Sequence, residues 1–302
     1  MAISRSQLLK ELLPGLNALF GLEYSKYGDE HAEIYETETS DRSFEEETKL
    51  SGFGSAPTKS EGASIEYDTA QEAFTARYTH ETVAMGFAIT EEAIEDNLYD
   101  SLSARYTKAL ARAMAYSKQV KAASLLNGAF DGDTYGDGKV LCATDHPLVS
   151  GGTNSNRPTV GADLNETSLE AAVIQIGQWT DERGLKIATQ PKKLIIPSDL
   201  QFVATRLLET EGRVGTADND INALSNNGSV PGGYTVNHYL TEPNAWFLTT
   251  DIPNGMKHFV RAKMATSMDA DFDTGNSRYK ARERYSFGVS DPLGIFGSPG
   301  AS

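Results

Sequence analysis

A chain of 302 residues with 39% hydrophobic and 23% charged side chains has the composition of a folded protein with a buried core, not of a disordered one. Its 42 acids against 27 bases, a net charge of −15, exclude a protein that wraps nucleic acid through its overall charge, because phosphate binding needs a cationic face. The single Cys142 excludes an intramolecular disulfide and a cysteine-based zinc site, which fits a reducing compartment, and no apolar run is long enough for a transmembrane helix.

In chain order, Leu12–Leu22 (LLPGLNALFGL) reads as an amphipathic arm interrupted by Pro14 and Asn17. The first 50 residues hold five bases and eleven acids, a balance of −6, so much of this segment is expected in solvent. From His31 to Ile89 large aliphatic residues are few. Phe74, Ala76 and Tyr78 alternate on one parity and Val83, Met85, Phe87 and Ile89 on the other, which predicts strand with a bulge at the switch. The stretch Ser51–Ser64 (SGFGSAPTKSEGAS) is a turn or tip by its Gly, Ser and Pro content. The result is a long hairpin whose arms could each reach roughly 60 Å, with too few apolar residues to bury itself; such a hairpin is marginal alone.

Thr90 opens a predicted helix from Glu91 to Asn127, acidic at its start and basic towards its end as the helix dipole favours. Ile94, Leu98, Leu102, Tyr106, Ala109, Ala113 and Val120 share a stripe expected to pack in the core, Lys118 is expected at the surface, and Asn127-Gly128 is a natural stop. At roughly 55 Å this helix is as long as a compact chain of this size is wide, about 50 Å. The subunit is therefore expected to be elongated, its exposed hairpin completed by neighbours. After a polar loop (Asp131–Asn156), Thr167-x-x-Glu170 reads as a capping box for a helix ending at Gly184, with Leu169, Val173, Ile176 and Trp179 inward. Lys193–Ile196 reads as a buried strand and Pro197-Ser198 as the start of a third helix to about Glu211. The fold class is α+β.

The chain carries few residue patterns with chemistry in them. The Asp131–Asp137 run lacks the EF-hand acids at positions five and twelve, where Tyr135 and Cys142 stand, and reads as a turn. Gly132–Lys139 has the wrong spacing for a phosphate loop. Cys142, Asp145 and His146 form a compact trio suggestive of a thiol nucleophile and base, but Asp145-His146-Pro147 is equally a turn. His31, His80, His238 and His258 are scattered and read as structural. Glu45, Glu46 and Glu47 alternate faces on a strand and cannot converge on a metal, so they read as a solvated face. No catalytic, cofactor-binding or metal-ligating residue is expected.

The order of parts carries a resemblance. The tip SGFGSAPTKSEG, the join GFAITEEAIEDNLYD, LCATDHPLVSGGTNSN, PKKLIIPSDLQFVATRLL, LTEPNAWFLTTD and RYKARERYSFGVSDPLGIFGS together resemble the major capsid proteins of tailed bacteriophages, with the HK-ninety-seven-like fold. The resemblance implies an N-arm (1–32), an extended E-loop (33–89), a P-domain (90–190) with a spine helix at 91–127, an A-domain (191–265), and closing strands with the C-terminus (266–302). It further implies self-assembly as hexamers and pentamers into an icosahedral shell around phage DNA that is not bound sequence-specifically. The partners implied are a portal and a scaffold or cement protein; the location is the virion head, assembled in the bacterial cytoplasm, and no membrane is involved. Inter-subunit contact is expected at Gly52, Phe53, Gly54 and Pro57, and spine packing at Ile94, Leu98, Leu102 and Ala113. Some relatives weld shells through a Lys-to-Asn bond from this loop, but Lys49 and Lys59 show no partner in the sequence. An encapsulin-like compartment and a cytosolic hydrolase using Cys142 and His146 are the alternatives.

Overall fold

The computed structural model describes residues 5–90, 92, 99–212, 220–271 and 275–301. The arm is helix α1 (Arg5–Tyr24), longer than the apolar run that announced it. Leu16 and Phe20 are buried, with Leu13 and Tyr24 partly covered beside them, the recurrence of one helical face. Pro14 lies within the helix on its exposed side, where it forfeits a backbone hydrogen bond without disturbing the packed face.

Four short strands follow: β1 (Glu36–Thr39), β2 (Phe44–Leu50), β3 (Glu72–Thr79) and β4 (Glu81–Ile89). The pair β2–β3 is an antiparallel hairpin, but β4 does not prolong it. The chain turns at His80, held by Ser40 and Ser286, and β4 joins a different sheet. The parity switch therefore marks a change of sheet, not the expected bulge: side chains reverse because the strand takes a new ladder.

Helix α2 (Tyr99–Asn127) ends where Asn127-Gly128 predicted. Its buried stripe is Leu110, Ala111, Met114, Ala115, Ala122, Ala123 and Leu126, one position away from the expected one. Tyr106, Ala109 and Val120 are exposed and Ala113 is half-buried; Ile94 and Leu98 lie outside the described residues, as does the side chain of Leu102. Alanines occur on both candidate stripes, which lie about 100° apart. The neighbours choose between them: Leu16 and Phe20 of α1 with Tyr279 and Ala281 meet Leu110, Ala111 and Met114.

The remaining elements are β5 (His146–Pro147), β6 (Thr153–Asn154), α3 (Glu166–Gly177), β7 (Pro191–Ile196), α4 (Gln201–Leu208), α5 (Ala223–Asn226), β8 (Tyr234–Val236), β9 (Trp246–Thr250), β10 (Met256–Ala270), β11 (Ser277–Val289) and β12 (Ile295–Ser298). The cap of α3 is Asn165, exchanging bonds with Ser168, two residues upstream of the expected Thr167–Glu170 box, and the helix stops well before Gly184. Leu169, Ile176 and Trp179 are buried as expected.

Two four-stranded sheets organise the molecule, in the orders β1-β10-β11-β4 and β12-β9-β7-β8. The second is buried on both faces, which is why Leu194-Ile195-Ile196 is uninterruptedly apolar. Leu194 and Ile196 meet α3 through Leu169 and Ile176, while Ile195 and Phe247 face Leu126, Ile34 and Tyr35. A division at 265/266 would cut β10 in mid-strand, and β12 returns to pair with β9.

Candidate assembly surface

An apolar-poor hairpin leaving the body must be fastened by something other than a core. Along β2, Glu45, Glu47 and Lys49 are half-buried while Phe44, Glu46, Thr48 and Leu50 are exposed, the alternation of a strand. The inward set ends in ion pairs. Lys257, with its side chain 3% exposed, lies 2.6 Å from both Glu38 and Glu47. Lys49 reaches Glu182 at 3.0 Å and Asp291 at 2.9 Å. Burial disfavours each ammonium ion, but the paired carboxylates outweigh it and hold both lysines above their ordinary pKa. Glu47 also accepts from the Ser290 hydroxyl, which is hydrogen-bonded to that of Tyr78. The Tyr78 ring meets Phe259 edge-on at 4.8 Å and covers Gly288, where a Cβ would collide with it. The solvated-face reading of the three glutamates thus holds for Glu46 alone: Glu47 is part of the fastening, and Glu45 accepts from Ser40. Lys49, without a partner in the sequence, is fully engaged within its own chain.

Residues 51–71 form no strand, yet the loop is closed at its base, where Ser51 N–H donates to the Gln71 carbonyl and Gln71 N–H to the Ser51 hydroxyl, and is pinned further out at Asp68. The Asp68 carboxylate accepts from the Gly54 N–H at 2.7 Å, from its own neighbour Thr69, and from Arg183 Nη2 at 2.8 and 2.9 Å. The backbone bonds first, and then Arg183, hold its pKa below the usual carboxylate range. Of the residues expected to make contact, Gly52 has φ +67°, a left-handed turn position suited to glycine. Phe53 and Pro57 are exposed, and Gly54 sits in the Asp68 clasp. Leu50, Ile65 and Tyr67 are further large apolar side chains left in solvent, Tyr67 being 91% exposed. Ile65, Tyr67 and Asp68 lie past Ser64, the expected end of the tip; the alternation in Ser-Ile-Glu-Tyr-Asp is the sequence signal that marks them.

The hydrolase candidates do not converge. Cys142 is fully buried and burial pushes its thiol pKa up. Asp145 pairs at the surface with Lys139. His146 Nδ1 lies 2.5 Å from Asp137 and Nε2 3.0 Å from Asn156 Oδ1, while the Asn156 amide donates to the carbonyls of Leu141 and Pro292. This polar network ties the 141–156 loop to the turn between β11 and β12. The 131–140 run closes as a turn, with Thr134 bridged to Val140 and Gly138 at φ +75°. Among the described residues no group of three or more His, Cys, Asp or Glu is arranged to hold a metal, and no helix is long and apolar enough to cross a membrane.

A two-sheet body, a long helix and a fastened hairpin define the class. The fold is similar to that of the capsid of cyanophage P-SCSP1u (TM-score 0.57, 11% identity, 87% of this chain and 85% of that one) and of an empty GTA particle (0.56, 15%, 90% and 89%). It is also similar to that of a virus-like particle from Pyrococcus furiosus (0.53, 11%, 95% and 99%). This is the HK-ninety-seven-like capsid fold. The family model for phage capsid protein matches residues 72–297, and the chain belongs to that family, as a shell protein of the phage head. No curated protein matches it.

Proposed function

We propose that the chain builds its shell by self-association into hexamers and pentamers, without chemistry of its own. It encloses DNA that it does not read and works with a portal and, where one is used, a scaffold or cement protein. In this reading residues 1–32 are the N-arm, 33–89 the E-loop, 90–190 the P-domain, 191–265 the A-domain and 266–302 the closing strands, with β10 running across the last boundary and shared by the two regions, and the tip around Gly52, Phe53, Gly54 and Pro57 lies on a neighbouring subunit. The carrying observation is the hairpin: ion-paired at its base, clasped at Asp68, and presenting Leu50, Phe53, Ile65 and Tyr67 to solvent. A ribbon so held is costly to order unless the surface it presents is covered in the assembly. Deleting Gly54–Gly62 should leave the helical circular-dichroism signal unchanged and abolish closed shells in electron micrographs. Normal shells from the deletion would overturn the reading. A compartment shell is the lesser reading, because the family match is to phage capsid protein; a hydrolase is disfavoured by the buried thiol.

A further inference from the structure

The outward face of the β1-β10-β11-β4 sheet carries a feature that the assembly reading leaves unused. Along β11, Tyr279, Ala281, Glu283 and Tyr285 are buried, and Tyr279 and Ala281 pack towards α1 and α2. The alternate residues Arg278, Lys280, Arg282 and Arg284 therefore stand in one row on the other face, about 6.8 Å apart. The hairpin of the same chain covers that face towards its Gly288 end, where Tyr78 packs on Gly288 and His80 bonds Ser286. Beyond it Arg278, Lys280 and Arg282 are exposed. In register, Lys280 is flanked by Gly86 and Ser267, and Arg282 by Ala84 and Ala265. These small exposed neighbours leave a flat floor beside the cations.

The row is under-compensated. Arg278 pairs with Asp271, but Lys280 and Arg282 have no ion-pair partner among the described residues, and Arg284 Nε is buried without an acceptor. Residues 256–289 hold seven bases and four acids, +3, which leaves −18 for the rest of a chain whose net charge is −15. The complement lies in the same sequence: residues 60–72 (SEGASIEYDTAQE) hold Glu61, Glu66, Asp68 and Glu72 with no base. This stretch is exposed throughout, and Asp68 alone of its acids is engaged by a cation, Arg183.

We propose that the Arg278–Arg284 row is the docking strip for residues 60–72 of a second copy, with Glu61, Glu66 and Glu72 meeting the cations and Ile65 and Tyr67 lying on the small-residue floor. The inference rests on the hairpin tip being an inter-subunit contact and supplies its recipient. Opposite charges set the register of the contact and suppress wrong pairings, and salt screens it.

The test uses the full chain carrying Lys280→Glu and Arg282→Glu. Shell yield at low salt, counted by electron microscopy, should fall roughly tenfold or more, since like charges would face each other, with an unchanged thermal melt of the subunit. Adding Glu61→Lys, Glu66→Lys and Glu72→Lys to the same chain should restore shells. Intact shells from the first variant would overturn the docking strip while leaving the tip reading to stand or fall with the Gly54–Gly62 deletion. Loss without restoration would also overturn it, as would salt-sensitive binding of double-stranded DNA by the unaltered subunit that the first variant loses, which would make nucleic acid the occupant.

Discussion

Lys257 shows how single residues carry the hairpin. Its ammonium group is enclosed by Glu38 and Glu47, so replacing it with methionine leaves two facing carboxylates with no cation. Unfolding in urea should show a loss of about 1–3 kcal/mol, less than for a fully buried pair because the two carboxylates left behind stay partly in solvent. Because the folded pKa of Lys257 is raised, its contribution is complete below the ordinary lysine value of about 10.4 and disappears as pH rises through the folded value. Proteolysis of the hairpin should therefore accelerate only in strongly alkaline buffer. His258 works in the opposite direction. It stacks on Phe287 at 4.3 Å and meets His31 edge-on at 5.1 Å, and burial, then His31 and Lys118, push its pKa down to about 3. The folded state keeps this ring neutral while the unfolded chain protonates it below about 6.5. Stability should thus fall on acidification from that value towards 3, by about 1.4 kcal/mol per pH unit for this group. His258→Leu should flatten the slope by that amount, read from unfolding free energies across the range, and at neutral pH forfeits only the 3.3 Å contact of Nδ1 with Thr37, Nε2 having no partner to lose.

At the scale of the element, α2 makes the sharper test. Ala109 is exposed, so Ala109→Pro acts on the backbone alone, removing a hydrogen bond and clashing with the preceding turn at a cost of about 3 kcal/mol or more. Lys118, expected at the surface and therefore replaceable, is instead 14% exposed beside Glu283, itself 2% exposed, at 3.4 Å. Lys118→Gln strands a buried carboxylate and should destabilise by about 3 kcal/mol. Arg105→Gln, on the exposed side, should stay within about 0.5 kcal/mol. Thermal unfolding of the three variants ranks them, and equal melting of Lys118→Gln and Arg105→Gln would show that the Glu283 pair contributes nothing.

For the whole molecule, the exposed tip and the half-covered outer sheet face describe a chain completed by its copies. Static light scattering of the purified protein should report capsomers, shells or aggregates. A monodisperse monomer with a radius of gyration near the roughly 19 Å of a compact chain of this length would contradict self-assembly.

What the sequence determined by itself was local and periodic: the stop at Asn127-Gly128, the inward Leu169, Ile176 and Trp179, the doubly buried Leu194–Ile196, the hairpin with its Gly-rich tip, and the order of motifs that carries the family resemblance. These follow from spacing and turn chemistry, which are written in neighbouring residues. Only the tertiary structure decided which of two adjacent stripes of α2 is buried, because that depends on Leu16, Phe20 and Tyr279 arriving from distant parts of the chain. It alone decided that the parity switch at His80 is a change of sheet, since a ladder is defined by its partner strand. It also decided the fastening of the hairpin, where Lys49 meets Asp291 and Lys257 meets Glu47 across more than two hundred positions. No pattern in a single sequence records such pairs, because opposite charges are common and only the fold brings particular ones within bonding distance in a site poor in water.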